Sequence, residues 1–130
     1  MNDTSDFPSE LATNEFYWLG IEQGELLFQQ CVECGRPRHP PNLVCETCRS
    51  CRVETRRSEG RGVIYSYTIF ERPRIPGLDM PVTVVLVALQ EGVRVLGGWA
   101  GDAPPVVGIR VKALFASPDL GPARLMFEVE

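Results

Sequence analysis

Two Cys-x-x-Cys pairs, Cys31/Cys34 and Cys45/Cys48, separated by ten residues, constrain this chain more than any other feature. Each pair spans one tight turn, and two such knuckles bring four thiolates to one point, the donor set of tetrahedral Zn²⁺. Gly35, directly after the first pair, suits a turn that needs positive φ. Pro37, Pro40 and Pro41 stiffen the connecting loop and reduce the entropy lost when a metal closes it. Four sulfur ligands saturate zinc and leave no position for substrate, so the expected metal is structural. An all-thiolate site does not by itself choose between zinc and iron, so rubredoxin-like iron stays open. A disulfide framework fits poorly with five cysteines, an odd number. Cys51 then reads as a spare thiol, and His39, between the knuckles, as a surface or interface residue.

Residues 31–51 hold few large apolar side chains, so the metal must be tied to a core made elsewhere. With 130 residues the chain has room for one compact domain plus such a metal-stapled unit. Residues 1–9 read as a disordered tail, 10–30 as a helical segment with a lead-in strand, 31–58 as a zinc ribbon and 59–130 as a β domain. The helix is expected up to Gly20, with Phe16, Tyr17 and Trp18 as an aromatic stripe, and the strand over Glu25 to Gln30. From Gly60 onward the pattern is β. Val63, Tyr65, Tyr67 and Ile69 are predicted on one face, with Ile64, Ser66, Thr68 and Phe70 on the other. Val82–Leu89 and the segment VRVLGGW, joined by Gln90-Glu91-Gly92, read as a hairpin. Two more strands follow, after Gly108 and from Ala123. Five strands with no long helix between them predict a small closed barrel of OB type, because closure removes exposed edges. Gly60-Arg61-Gly62 and Gly97-Gly98 match no phosphate loop and read as bulges or tight turns.

Charge and missing motifs narrow the function. The net charge is −4, distributed as six acids and no base in residues 1–30, seven Arg against four acids in 31–61, and six bases against seven acids beyond. A duplex-binding protein carries a stronger positive footprint. With His39 the single histidine and no GxSxG, no catalytic triad is in view. No apolar run reaches the roughly 18 residues of a membrane helix, and the N-terminus has no basic lead into an apolar stretch, which reads as a cytosolic protein. What remains is an accessory or binding role. Arg72, Pro73, Arg74, Pro76 and Gly77 make a stiff basic loop suited to an anionic group, and Phe16 and Trp18 are candidate partner contacts.

The segments CVECGRPRHPPNLVCETCRS, EGRGVIYSYTIFERP, PVTVVLVALQEGVRVLGGWAG and VVGIRVKALF together resemble a bacterial and archaeal family of acyl-CoA-associated proteins. That family combines an N-terminal helix, a rubredoxin-like zinc ribbon and a C-terminal OB-fold, and was long labelled a domain of unknown function. The likeness covers about residues 10–130. It implies Cys31, Cys34, Cys45 and Cys48 as ribbon ligands; the chain departs from the pattern at Cys51 and Thr55. Members are not usually enzymes by themselves. They associate with thiolase-superfamily enzymes, among them lipid-transfer-protein-like aldolases of steroid side-chain degradation, or with MaoC-like hydratases. The resemblance therefore implies a non-catalytic subunit of a hetero-oligomer that helps form an acyl-CoA channel. Tyr65, Tyr67 and Phe70, near Arg72 and Arg74, are candidates to meet the adenine or pantetheine of acyl-CoA by stacking and charge. The competing readings are a single-stranded nucleic-acid-binding module built from the same two folds, and a rubredoxin-type redox protein.

Overall fold

The chain was analysed as a computed structural model, which describes residues 10–72, 81–117 and 122–130. The tail over 1–9 and the loop residues Pro73, Arg74, Pro76 and Gly77 lie outside the described residues. Helix α1 spans Glu10–Glu22, two residues past the expected stop. Gly20 does not end it: a Cβ there would lie 2.9 Å from the Leu27 side chain and 3.0 Å from the Glu25 carbonyl oxygen, so the glycine lets the following chain fold back closely. The stop comes at Gly24, whose φ of 79° lies in the left-handed region. Tyr17 and Ile21, four residues apart, are buried, with Gly20 between them on the same face. The expected aromatic stripe does not form, because successive helical residues point about 100° apart. Tyr17 enters the core, Trp18 is exposed, and Phe16 is half-buried against the core.

The lead-in strand β1 is Leu27–Cys31. It is the centre of a three-stranded antiparallel sheet with β2, Pro37–Arg38, on one side and β3, Val53–Arg57, on the other. Neither flanking strand is visible in the sequence pattern: β2 has two residues and β3 is exposed at every position.

Five strands close into a barrel: β4 (Arg61–Phe70), β5 (Val82–Leu89), β6 (Arg94–Trp99), β7 (Arg110–Ala116) and β8 (Arg124–Val129), in the order β4-β5-β6-β8-β7. The fold is mainly β, with the OB barrel that the pattern predicts. The hairpin turn forms where expected, with the Leu89 amide donating to the Val93 carbonyl at 2.8 Å and Gly92 at φ 100°. The last closure is parallel, Gly98 opposite Met126 and Trp99 opposite Phe127. Ile64, Val85, Val87, Val95, Val111 and Phe127 fill the interior. Gly97 and Gly98 are neither bulge nor turn; they sit in regular register with Val85 and Val84. The reason for glycine is space, since a Cβ on Gly97 would lie 2.7 Å from two ring carbons of Phe127.

The predicted faces of β4 hold only as far as Ile64. A bulge at Tyr65 shifts the register, so Ile64 pairs with Val87 but Ser66 pairs with Leu86. Cross-strand partners share a face. Tyr67, opposite the buried Val85, therefore lies on the Ile64 face, and Tyr65 and Tyr67 are separated. Pairing of β4 to β7 stops at Val63, so residues 66–70 extend past β7, paired to β5 alone, and are exposed on both faces.

A short linker locks the sheet to the barrel. The Ser58 amide donates to the Leu26 carbonyl at 2.8 Å, and the Glu91 carboxylate, from the hairpin turn, accepts from the Ser58 hydroxyl at 2.7 Å and the Glu59 amide at 2.9 Å. Gly97→Ala is expected to destabilise the protein by about 1–3 kcal/mol, the usual cost of overpacking, measured by urea unfolding. A midpoint equal to wild type would show that Phe127 can move aside.

Candidate metal centre and interaction surface

The two knuckles are one structure used twice. In the first, the Gly35 amide donates to the Cys31 carbonyl at 3.0 Å and the Cys31 amide to the Arg36 carbonyl at 2.9 Å. In the second, the Arg49 amide donates to the Cys45 carbonyl at 2.8 Å and the Cys45 amide to the Ser50 carbonyl at 2.9 Å. Gly35 has φ 80°; Arg49 takes the same conformation at φ 67° without being glycine. Strand β1 delivers Cys31, and the Val32 amide reaches across to the Arg52 carbonyl at 3.1 Å, so the ribbon sheet anchors the first knuckle. Buried Gln29 anchors the loop between the knuckles, its side-chain oxygen accepting from Arg38 Nε at 2.8 Å and the Asn42 amide at 2.9 Å.

The Sγ atoms of Cys31, Cys34, Cys45 and Cys48 all lie within 4.8 Å of one another. The Cys31–Cys48 and Cys34–Cys45 sulfur separations are 3.5 and 3.6 Å. Four sulfurs at about 2.3 Å from zinc stand roughly 3.8 Å apart, whereas a disulfide needs about 2.05 Å. The spacing fits a tetrahedral ion, not a crosslink. Backbone amides prepare the site: those of Cys48 and Thr47 pull the Cys45 thiol down to about 6, and that of Cys34 leads in lowering Cys31. At Cys48 the Ser50 amide pulls the same way, but the neighbouring thiols of Cys31, Cys34 and Cys45, with burial, push it up to about 12. Four thiolates cannot all stay charged together without a cation. The donor set thus fits zinc, held by these cysteines in a structural role with no open coordination position.

Cys51 lies outside the cluster and is exposed. His39 is not an open surface residue. Its ring lies 4.8 Å from that of Tyr17, and burial holds its pKa below the ordinary histidine value. Burial also pushes the Tyr17 phenol up to about 12. The pair joins helix α1 to the loop between the knuckles.

Of the other candidate residues, Tyr65 is exposed, with the Arg94 guanidinium 4.4 Å from its ring centre, a cation–π pair that the sequence did not reveal. Tyr67 and Phe70 are exposed on opposite faces of β4, Phe70 opposite Val82, and Arg72 is exposed just past the strand. Arg74 lies outside the described residues. Phe16 and Trp18 belong to helix α1, distant in sequence from β4. A groove of about 1100 Å³ between α1 and strands β5, β6 and β8, bordered by Trp18, Val84, Leu96 and Met126, had no signal in the linear pattern. Among the described residues no helix is long and apolar enough to cross a membrane.

One zinc per chain is expected by elemental analysis, with Cys45→Ser losing the metal and Cys51→Ser retaining it. Retention of full metal by Cys45→Ser would reject the four-sulfur site. Arg49→Gly is expected to stabilise the zinc-loaded protein by about 1 kcal/mol in chemical denaturation, because a side chain in the left-handed region costs roughly 1–2 kcal/mol.

A family model described as the ChsH2 rubredoxin-like zinc ribbon domain matches residues 18–54, and one described as the ChsH2 C-terminal OB-fold domain matches residues 55–116. A probable enoyl-CoA hydratase alpha subunit of Thermomonospora curvata is 34% identical over 111 residues, 82% of this chain and 35% of that protein. The 3-oxo-4,17-pregnadiene-20-carboxyl-CoA hydratase alpha subunit of Mycobacterium tuberculosis is 34% identical over 110 residues, 83% of this chain and 35% of that protein. The chain thus spans about a third of the length of these two relatives. Among solved structures, a chain of the Ltp2-ChsH2(DUF35) aldolase superposes with a TM-score of 0.83 at 32% identity, over 90% of this chain and 94% of that one. On its zinc ribbon, its barrel and these matches, the chain belongs to the DUF35/ChsH2 family.

Proposed function

We propose that this chain is a non-catalytic accessory subunit of a thiolase-superfamily acyl-CoA enzyme, most directly an aldolase acting in steroid or lipid side-chain degradation. The observation that carries the reading is the match to a chain of the Ltp2-ChsH2(DUF35) aldolase over 94% of that chain. The names of the two hydratase alpha subunits add support for coenzyme A thioester chemistry, with a MaoC-like hydratase as the second possible partner class.

The chemistry of the chain agrees. Its cysteine cluster has the donor set of a closed structural site, and its single histidine packs against the Tyr17 ring. The partner supplies the reacting groups, while the rigid ribbon and barrel supply a preorganised docking body. In this reading the exposed β4 extension bears the acyl-CoA contact: Tyr65, Tyr67 and Phe70 offer aromatic surface, and Arg72 and Arg74 offer charge to phosphate. Because Tyr65 and Tyr67 point to opposite faces, they serve two surfaces and not one stacking platform.

The nucleic-acid alternative loses ground on the barrel. OB-folds that bind single strands use the strand 2–3 face with basic and aromatic side chains. Here that face, on β5 and β6, presents Val82, Val84, Leu86 and Leu96, and its one basic side chain, Arg94, is already engaged by the Tyr65 ring.

Co-expression of the chain with the thiolase-fold aldolase of its own host is expected to yield a stoichiometric zinc-containing complex that cleaves an acyl-CoA substrate; neither protein alone should match its activity. Arg72→Ala/Arg74→Ala is expected to raise KM for acyl-CoA about tenfold, the loss of roughly one charge-assisted contact. Failure of wild type to bind either a thiolase-fold or a MaoC-like protein would reject the subunit reading. Unchanged partner affinity and turnover in the double variant would reject the arginine assignment alone.

A further inference from the structure

Outward positions of an antiparallel sheet facing water are ordinarily polar. On this barrel Arg94, Arg110, Lys112 and Glu128 follow that rule, but one patch across β5, β6 and β8 does not. Val84, Gly98 and Met126 form one row across β5, β6 and β8, on the face away from the interior row of Val85, Gly97 and Phe127. Val82 and Leu96 extend this apolar face, and Leu96 is 61% exposed. Helix α1 forms the facing wall of the groove. Glu15, Trp18, Leu19 and Glu22, at i, i+3, i+4 and i+7, make one stripe along it, with Trp18 56% and Leu19 53% exposed. The groove thus has two apolar walls and an acidic border on its helix side.

The charges around it are uneven. Helix α1 carries Glu10, Glu15 and Glu22 and no Lys or Arg. Glu15 is exposed, while Glu22 accepts from the Ala123 amide at 3.0 Å and closes the end of the groove toward β8. Arg124, at the start of β8, is the one basic side chain among the described residues lining the groove.

We infer that this groove is the seat of the partner subunit, and that the partner fills it with apolar side chains flanked by Lys or Arg lying against the acidic helix. The inference rests on the accessory-subunit reading above and specifies which face docks and what chemistry it meets. Charge complementarity selects the basic flank: an acidic helix without a single base repels an acidic surface and steers a basic one. Exposure selects a protein over a small apolar ligand. Sites for small ligands bury about 70–90% of the ligand surface, whereas here Trp18, Leu19 and Leu96 stand more than half exposed, so a lone acyl chain would remain wet. A half-exposed tryptophan beside leucine on a rigid helix is the kind of residue that carries binding energy when a protein surface closes over it.

The test uses the wild-type chain and the thiolase-fold aldolase of the same host, with Kd measured by calorimetry at about 50 and about 300 mM salt, which shortens the Debye length from about 14 to about 6 Å. Trp18→Ala/Leu19→Ser is expected to weaken binding at least tenfold at both salts. Glu15→Lys should weaken it severalfold at low salt and hardly at high salt. Val106→Ser/Val107→Ser, exposed before β7 and outside the groove, should leave Kd within twofold of wild type. Each variant is checked for zinc content and melting temperature, so that a folding defect is separated from a binding defect. A photo-crosslinker replacing Leu19 should attach to a partner peptide containing Lys or Arg beside apolar residues. Wild-type affinity in Trp18→Ala/Leu19→Ser, or crosslinking to a second copy of this chain or to its own residues 73–80 or 118–121, would overturn the groove assignment while leaving the accessory reading intact. A wild-type chain that binds no thiolase-fold protein would overturn both.

Discussion

The meeting of Cys31, Cys34, Cys45 and Cys48 is the constraint on which the N-terminal half of the molecule depends. Between residues 31 and 51 there is no set of large apolar side chains able to collapse, and Cys31 and Cys45 are themselves the buried residues of the unit. The ordering entropy of some twenty residues, about 1–2 kcal/mol each for backbone alone, must be met by the metal and by the sheet that holds it. Both knuckles use the same turn and the same pair of backbone hydrogen bonds. The site is therefore built from backbone geometry, which explains how one knuckle tolerates Arg49 where the other has Gly35.

From this fixed unit the organisation runs outward in two directions. Tyr17 and His39 pack helix α1 against the loop between the knuckles, and the Glu91 carboxylate holds the linker after β3. The helix lies along the barrel instead of extending away from it, and this placement creates the groove that separate consideration of helix or barrel would not contain. The extension of β4 past its β7 neighbour makes a second exposed surface. The molecule carries two distinct candidate contact regions on one rigid body.

The parts legible in the sequence are those set by neighbours along the chain. Cys-x-x-Cys spacing fixes a knuckle within four residues, and Gln90-Glu91-Gly92 fixes a hairpin turn between two β-branched runs. Features set by distant residues were not legible. Strand β3 has the sequence VETRR and no buried position, and exists because β1 offers it an edge. The bulge at Tyr65 has no glycine to announce it, and it reverses the assignment of every side chain from Ser66 to Phe70. The paired glycines 97 and 98 looked like a turn because their reason, the Phe127 ring and the Met126 side chain, lies almost thirty residues away. In the candidate site, the four ligands were evident from spacing alone, whereas the groove depends on a helix and three strands meeting in space.

Glu91 gives the assembly a portability that neither half has alone. Its two carboxylate oxygens, bonded to Ser58 and Glu59, brace the linker between ribbon and barrel from inside the unit. A body that carries its own internal bracing can be joined to different neighbours and still present the same surfaces in the same relative orientation. Relatives more than twice as long share this region at 34% identity, so the ribbon and barrel recur together as one unit within larger proteins.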